Sequence, residues 1–166
     1  IKISDIGKEI FHAQNNKMEL YRSMFFFDHT LQDHLRAYKS IRGFPGKAYI
    51  DTIVIDVDKK TDTDAHVHQR AKEMYLRMKE LYEIDDVNIR PYYSGSGYHF
   101  VLPNLWNFET PEEVKLTIAQ HFPGADNIYD KARLIRVPNT INFKTQRYKI
   151  PLELSELLNF ATEEIL

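Results

Sequence analysis

The stretch Ile53-Val54-Ile55-Asp56-Val57-Asp58 decides how the chain folds: a β-branched run that fills a buried strand passes directly into two acids. Side chains alternate across a strand, so Asp56 and Asp58 leave from one face, about 7 Å apart along the backbone, while Ile53, Ile55 and Val57 turn into the core. Carboxylates brought together raise each other's pKa unless a cation stands between them, and Mg²⁺ or Mn²⁺ suits an all-oxygen donor set. The plainer reading is a pair of strand-end acids in water, partnered by Lys59 and Lys60.

Outward from this strand the pattern stays regular. Val67, Ala71, Met74, Met78 and Leu81 recur at steps of four and three, which predicts an amphipathic helix over about 64–83 with its methionines packed on a sheet. Two strands follow, about 87–93 and 98–102, joined as a hairpin through Ser94-Gly95-Ser96-Gly97. Thr110, Pro111 and Glu113 supply an N-cap, a first-turn proline and a capping-box acid for a helix over about 111–121, and Ser155 starts a last helix in the same way. Upstream, the aromatic-rich stretch from Met18 to Phe27 suits a strand or a buried helix. His29 to Ser40 reads as a short helix stopped by Gly43-Phe44-Pro45-Gly46. From residue 49 the element order is β-α-β-β-α-β. The expected fold is α+β, a split βαβ (RRM-like) palm with a mixed sheet. A small N-terminal α/β lobe (about 1–48), the core (49–154) and a C-terminal helix (155–166) form one domain.

Composition narrows the function classes. With 166 residues, 43% of them hydrophobic, the chain can bury one sizeable core. A formal charge of −2, from 22 basic and 24 acidic residues, means that any nucleic-acid surface must be local. There is no cysteine, which excludes disulfides, a thiol nucleophile and zinc sites built on thiolates. No apolar run approaches the ~18 residues of a membrane span, and the opening IKISDIGKEI lacks a secretion signal, so an intracellular protein with no membrane partner is expected. The first residue, Ile1, suits a fragment of a longer protein.

Two further segments carry chemistry. In Ser94-Gly95-Ser96-Gly97-Tyr98-His99 the glycines let the backbone approach a phosphate closely, and His99 leads into an apolar strand; ordinary hairpin punctuation is the alternative. From Asp126-Asn127-Ile128-Tyr129-Asp130 the chain enters a stretch, Lys131 to Lys149, with six basic residues and no acid. Such a stretch suits a triphosphate or a nucleic-acid backbone, or else a solvated face. Arg36, Lys39, Arg42 and Lys47 form a smaller basic set.

The three motifs in this order resemble the catalytic cores of the archaeo-eukaryotic primase (primase-polymerase) superfamily. Their signature is a strand ending hydrophobic-Asp-hydrophobic-Asp, a Ser-Gly-x-Gly-x-His turn, and an Asp followed by an Arg-rich segment with Pro and a downstream Lys. The matching positions are Ile55 to Asp58, Ser94 to His99, and Asp126 through Arg133-Leu134-Ile135-Arg136-Val137-Pro138 to Lys144, within about 49–150. The resemblance implies a DNA-directed nucleotidyltransferase of DNA replication, using two divalent cations (Mg²⁺ or Mn²⁺) held by Asp56, Asp58 and Asp126. It implies Ser94 to Gly97 and His99 at the nucleotide phosphates, and Arg133, Arg136 and Lys144 at phosphates and primer-template. DNA template, primer, nucleoside triphosphates and a helicase are the implied partners. Ala125 stands where a larger apolar residue is common, which leaves Asp130 as a rival third ligand. The zinc element of many relatives is missing, which suggests a phage, plasmid or bacterial-type member, with no zinc expected. Competing readings are a gap-filling repair polymerase of the same superfamily, a non-catalytic nucleic-acid-binding replication module and, last, a metal-dependent glycosyltransferase, which leaves the basic segment unexplained.

Overall fold

The computed structural model describes residues 5–160 and 162–165, and the chain is α+β with small antiparallel sheets. Its centre is a four-stranded sheet of β4 (Thr52–Val57), β6 (Tyr98–Pro103), β5 (Arg90–Tyr93) and β10 (Ile150–Pro151), neighbouring in that order. Every pairing in it is antiparallel, so no neighbouring strands run parallel and the expected mixed sheet is not formed. β4 and β5 point the same way with β6 between them, linked by α3 (Asp64–Tyr82).

In β4, Ile53 through Val57 are all buried, because both faces of the strand are covered. On one face Ile55 and Val57 lie opposite Phe100 and Tyr98, under α3, whose His68 ring nitrogen is 2.8 Å from the Tyr98 hydroxyl. The stripe Val67, Ala71, Met74 and Met78 is buried as predicted, but Leu81 is half exposed, and Tyr82 packs inward in its place, stacked on Phe122. Thr63 caps α3 by accepting the His66 N–H.

α4 (Pro111–His121) begins as expected, with the Thr110 hydroxyl accepting the Glu113 N–H. The Glu113 carboxylate reaches Glu109 N–H rather than its cap residue. At α5 (Leu154–Asn159) the reciprocal cap is Glu153 with Glu156, two residues before the cap expected at Ser155, and a separate α6 (Thr162–Ile165) follows. Residues 1–4, 161 and 166 of the expected terminal elements lie outside the described residues.

The N-terminal residues form α1 (Ile6–Asn15), β1 (Tyr21–Ser23), β2 (Phe26–Phe27), α2 (Thr30–Tyr38) and β3 (Ala48–Tyr49). They interleave with the rest of the chain. β1 pairs with β7 (Leu134–Arg136), and Met24 and Phe25 join the main core. The Met18–Phe27 stretch is therefore strand, as one of its two readings had it. A last hairpin, β8 (Ile141–Asn142) with β9 (Arg147–Tyr148), completes the fold.

Candidate nucleotide and metal site

Residues directly opposite in an antiparallel pair share a face of the sheet. Asp56 lies opposite His99, and His99 opposite Tyr92, so the three stand in one row across β4, β6 and β5. That face is roofed by the β1–β7 ribbon. Between sheet and ribbon lies a cleft of about 140 Å³ lined by Tyr21, Asp56, Asp58, Ser94, Ser96, His99, Arg133 and Arg136 among others. This space is the size of a phosphate group and too small for a whole nucleoside triphosphate.

Asp126 is delivered by the edge of β4. The outward-facing groups of that edge are taken up by the segment after α4: Asp126 N–H donates to Asp56 O (2.8 Å), and Asp58 N–H donates to Asp126 Oδ2 (3.2 Å). Two residues upstream of Asp56, the Tyr129 hydroxyl accepts Val54 N–H (2.9 Å) and donates to Val54 O (2.6 Å). Burial pushes the pKa of that hydroxyl up, so it stays a donor. A side chain and a single backbone bond thus do the work of a fifth strand. Asp130 is turned away, with Oδ1 accepting Ala132 N–H and Oδ2 lying 3.3 Å from the Arg133 guanidinium.

The three acids feel one another. Loss of hydration and then the charges of Asp56 and Asp126 raise the Asp58 carboxyl above its ordinary pKa. Asp56 is buried, and His99 Nε2 stands 3.2 Å from its Oδ1 without the alignment of a hydrogen bond, so this oxygen has no hydrogen-bond partner. Lys60 Nζ meets Asp126 Oδ1 at 2.6 Å. Among the described residues no three His, Asp or Glu side chains stand ready to ligate one ion. Hard oxygen donors, one of them an unpartnered buried carboxylate oxygen, nevertheless fit a divalent cation, which would take over the neutralising role of Lys60.

The glycine turn packs onto the end of β4. A Cβ on Gly97 would stand 2.4 Å from Val57 O, and Gly95 holds φ +93° against Asn142 and Thr145 of the β8–β9 hairpin. Ser94 closes the turn, its hydroxyl accepting Gly97 N–H (3.0 Å) and its own N–H donating to Gly97 O (2.8 Å). The Gly97 amide is therefore spent inside the turn, while the Ser94 hydroxyl proton remains to donate.

The basic residues are less open than their sequence suggests. Arg136 donates to Ser94 O (2.7 Å) and lies over the Tyr21 ring, with its Nε unpartnered, and Arg133 donates to Ile128 O. Both line the cleft. Lys144 is exposed on the β8–β9 turn, and neither it nor Asp126 lines the cleft. Two participants were not singled out from the sequence, Tyr129 and Lys149, while Lys59 and Lys60, read there as partners of Asp56 and Asp58, pair instead with Asp64 and Asp126. Lys149 is 2% exposed, with Nζ 3.0 Å from both His99 Nδ1 and Arg136 O and 5.0 Å from the centre of the Tyr92 ring. Burial, then Arg22 and Arg136, push its pKa down to about 7.

Compared with protein-family models, with curated proteins and with solved structures, the chain matches none of them.

Proposed function

We propose that the chain is a template-directed nucleotidyltransferase, the catalytic domain of a DNA primase or primase-polymerase. The observation that carries this reading is the convergence of Asp56, Asp58 and Asp126, from two separated segments, beside His99 and under an arginine-bearing ribbon. The order β4-β6-β5 with α3 as the connection supports an RRM-like, split βαβ palm. Its departure from that pattern is the fourth strand, β10, which pairs with β5 while the Asp126 segment takes the edge of β4.

Asp56, Asp58 and Asp126 would hold two divalent cations, which when bound activate a 3′-hydroxyl and neutralise the leaving pyrophosphate. His99 Nε2 and the Ser94 hydroxyl offer protons to the phosphates of the incoming nucleotide. Arg136 and Arg133 supply positive charge across the cleft, held in place by carbonyls, so little reorganisation is needed as charge builds up. Lys144, exposed beside the glycine turn, suits a contact to the primer-template backbone. DNA template, primer and nucleoside triphosphates are the proposed partners, with a helicase in the same or another chain.

Incubation with Mg²⁺ or Mn²⁺, labelled nucleotides and single-stranded template, with and without primer, tests this. Products on bare template support a primase, and products on primed template alone support the gap-filling polymerase. Salt-sensitive DNA binding with no metal-dependent product would leave the non-catalytic module, a reading favoured by one feature, the Lys60 ammonium seated on Asp126.

A further inference from the structure

We propose that Lys149 is a positioning residue for His99: the lysine amine on Nδ1 keeps the ring proton on Nε2, where it faces Asp56 and the cleft. The role in phosphate recognition rests on the nucleotidyltransferase reading. The orientation of the ring rests on geometry alone.

The geometry has three parts. His99 Nε2 faces Asp56 Oδ1 at 3.2 Å, and Nδ1 faces Lys149 Nζ at 3.0 Å, so the ring bridges a carboxylate and an amine. Protonated or neutral, the Lys149 amine has a proton for Nδ1 beside the one it gives Arg136 O, which makes Nδ1 the acceptor and leaves the single proton of a neutral imidazole on Nε2. The other Lys149 contacts, Arg136 O and the Tyr92 ring face, fix the amine from two more elements. Its backbone is clamped as well: Lys149 N–H donates to Thr140 O, and Lys149 O accepts Asn139 N–H. Lys149 is thus held by β5, β7 and the 139–140 turn, with the His99 ring in its reach.

A structural role alone does not explain this lysine. Burying a lysine costs free energy unless an acid is paired with it, and among the described residues no carboxylate forms an ion pair with Lys149. The charged groups near it are Arg22 and Arg136, which oppose its charge, and Asp56, which favours it. A methionine of similar length would fill the same space without that cost. What methionine lacks is the donor to Nδ1.

The test is the ring nitrogen signature of His99 in uniformly ¹⁵N-labelled full chain, read from long-range ¹H–¹⁵N correlations in wild type and Lys149→Met. Wild type should show Nδ1 unprotonated and Nε2 protonated, and Lys149→Met should show a mixture of both tautomers or the opposite one. In parallel, kcat/KM for the nucleotide should fall roughly 10- to 100-fold in Lys149→Met, as for other residues that orient a ligand side chain. A wild-type ring protonated on Nδ1, or a tautomer unmoved in Lys149→Met, overturns the proposal whatever the activity. If Lys149→Met fails to fold, the wild-type spectrum alone decides. A wild type that joins no nucleotides yet shows the expected tautomer shift would sink the nucleotidyltransferase reading and leave the Lys149–His99 relation standing.

Discussion

Gly97 shows how tightly single residues are fixed around the cleft. With Val57 O only 2.4 Å from where a Cβ would sit, and that oxygen part of the backbone, Gly97→Ala must lift the turn off the end of β4. The expected cost is about 1–3 kcal/mol of stability, read by chemical denaturation, together with loss of nucleotide incorporation as His99 moves from Asp56. An unchanged denaturation midpoint would contradict the packing described. Short-range signals such as this turn, and the alternation that puts Asp56 and Asp58 on one face, were legible in the sequence. Lys149 and Tyr129 were not, because a buried lysine and a tyrosine in an irregular segment acquire their meaning only from the register of distant segments.

Among the elements, α3 and α4 were readable, and α1 and the short strands were not. α3 and α4 announce themselves by spacing and caps, whereas strands of two or three residues such as β1, β7 and β10 are defined by the partner each one finds. The segment docked on the β4 edge is the case that matters for chemistry, because it places Asp126 with hardly any regular structure. Tyr129→Phe tests it: without the hydroxyl, Val54 N–H and C=O lose their partner in a buried setting, which costs about 1–3 kcal/mol. The variant should also need more Mn²⁺ or Mg²⁺ for half-maximal incorporation, measured by metal titration at saturating nucleotide. Loss of stability with no change in metal requirement would show that Asp126 is placed by its own backbone bond alone.

Taken whole, the molecule gathers Asp56, Asp58, Arg133 and Arg136 into one cleft, with Asp126 docked beside it on the β4 edge: β1 from near the N-terminus pairs with β7, and together they roof the sheet face that carries Asp56 and His99. Tyr21 and Met24 from the N-terminal lobe thus line the site, and the arginines that face into it are held there by Ser94 O and Ile128 O. The most direct measurement is template-directed incorporation by four folded variants, Asp56→Asn, Asp58→Asn, Asp126→Asn and Asp130→Asn, at fixed Mn²⁺. The first three should lose at least about 100-fold in rate with their circular dichroism unchanged, and Asp130→Asn should stay within a few-fold of wild type. Normal incorporation by Asp56→Asn or Asp58→Asn, or a loss confined to Asp130→Asn, would contradict a reaction centred on these three carboxylates.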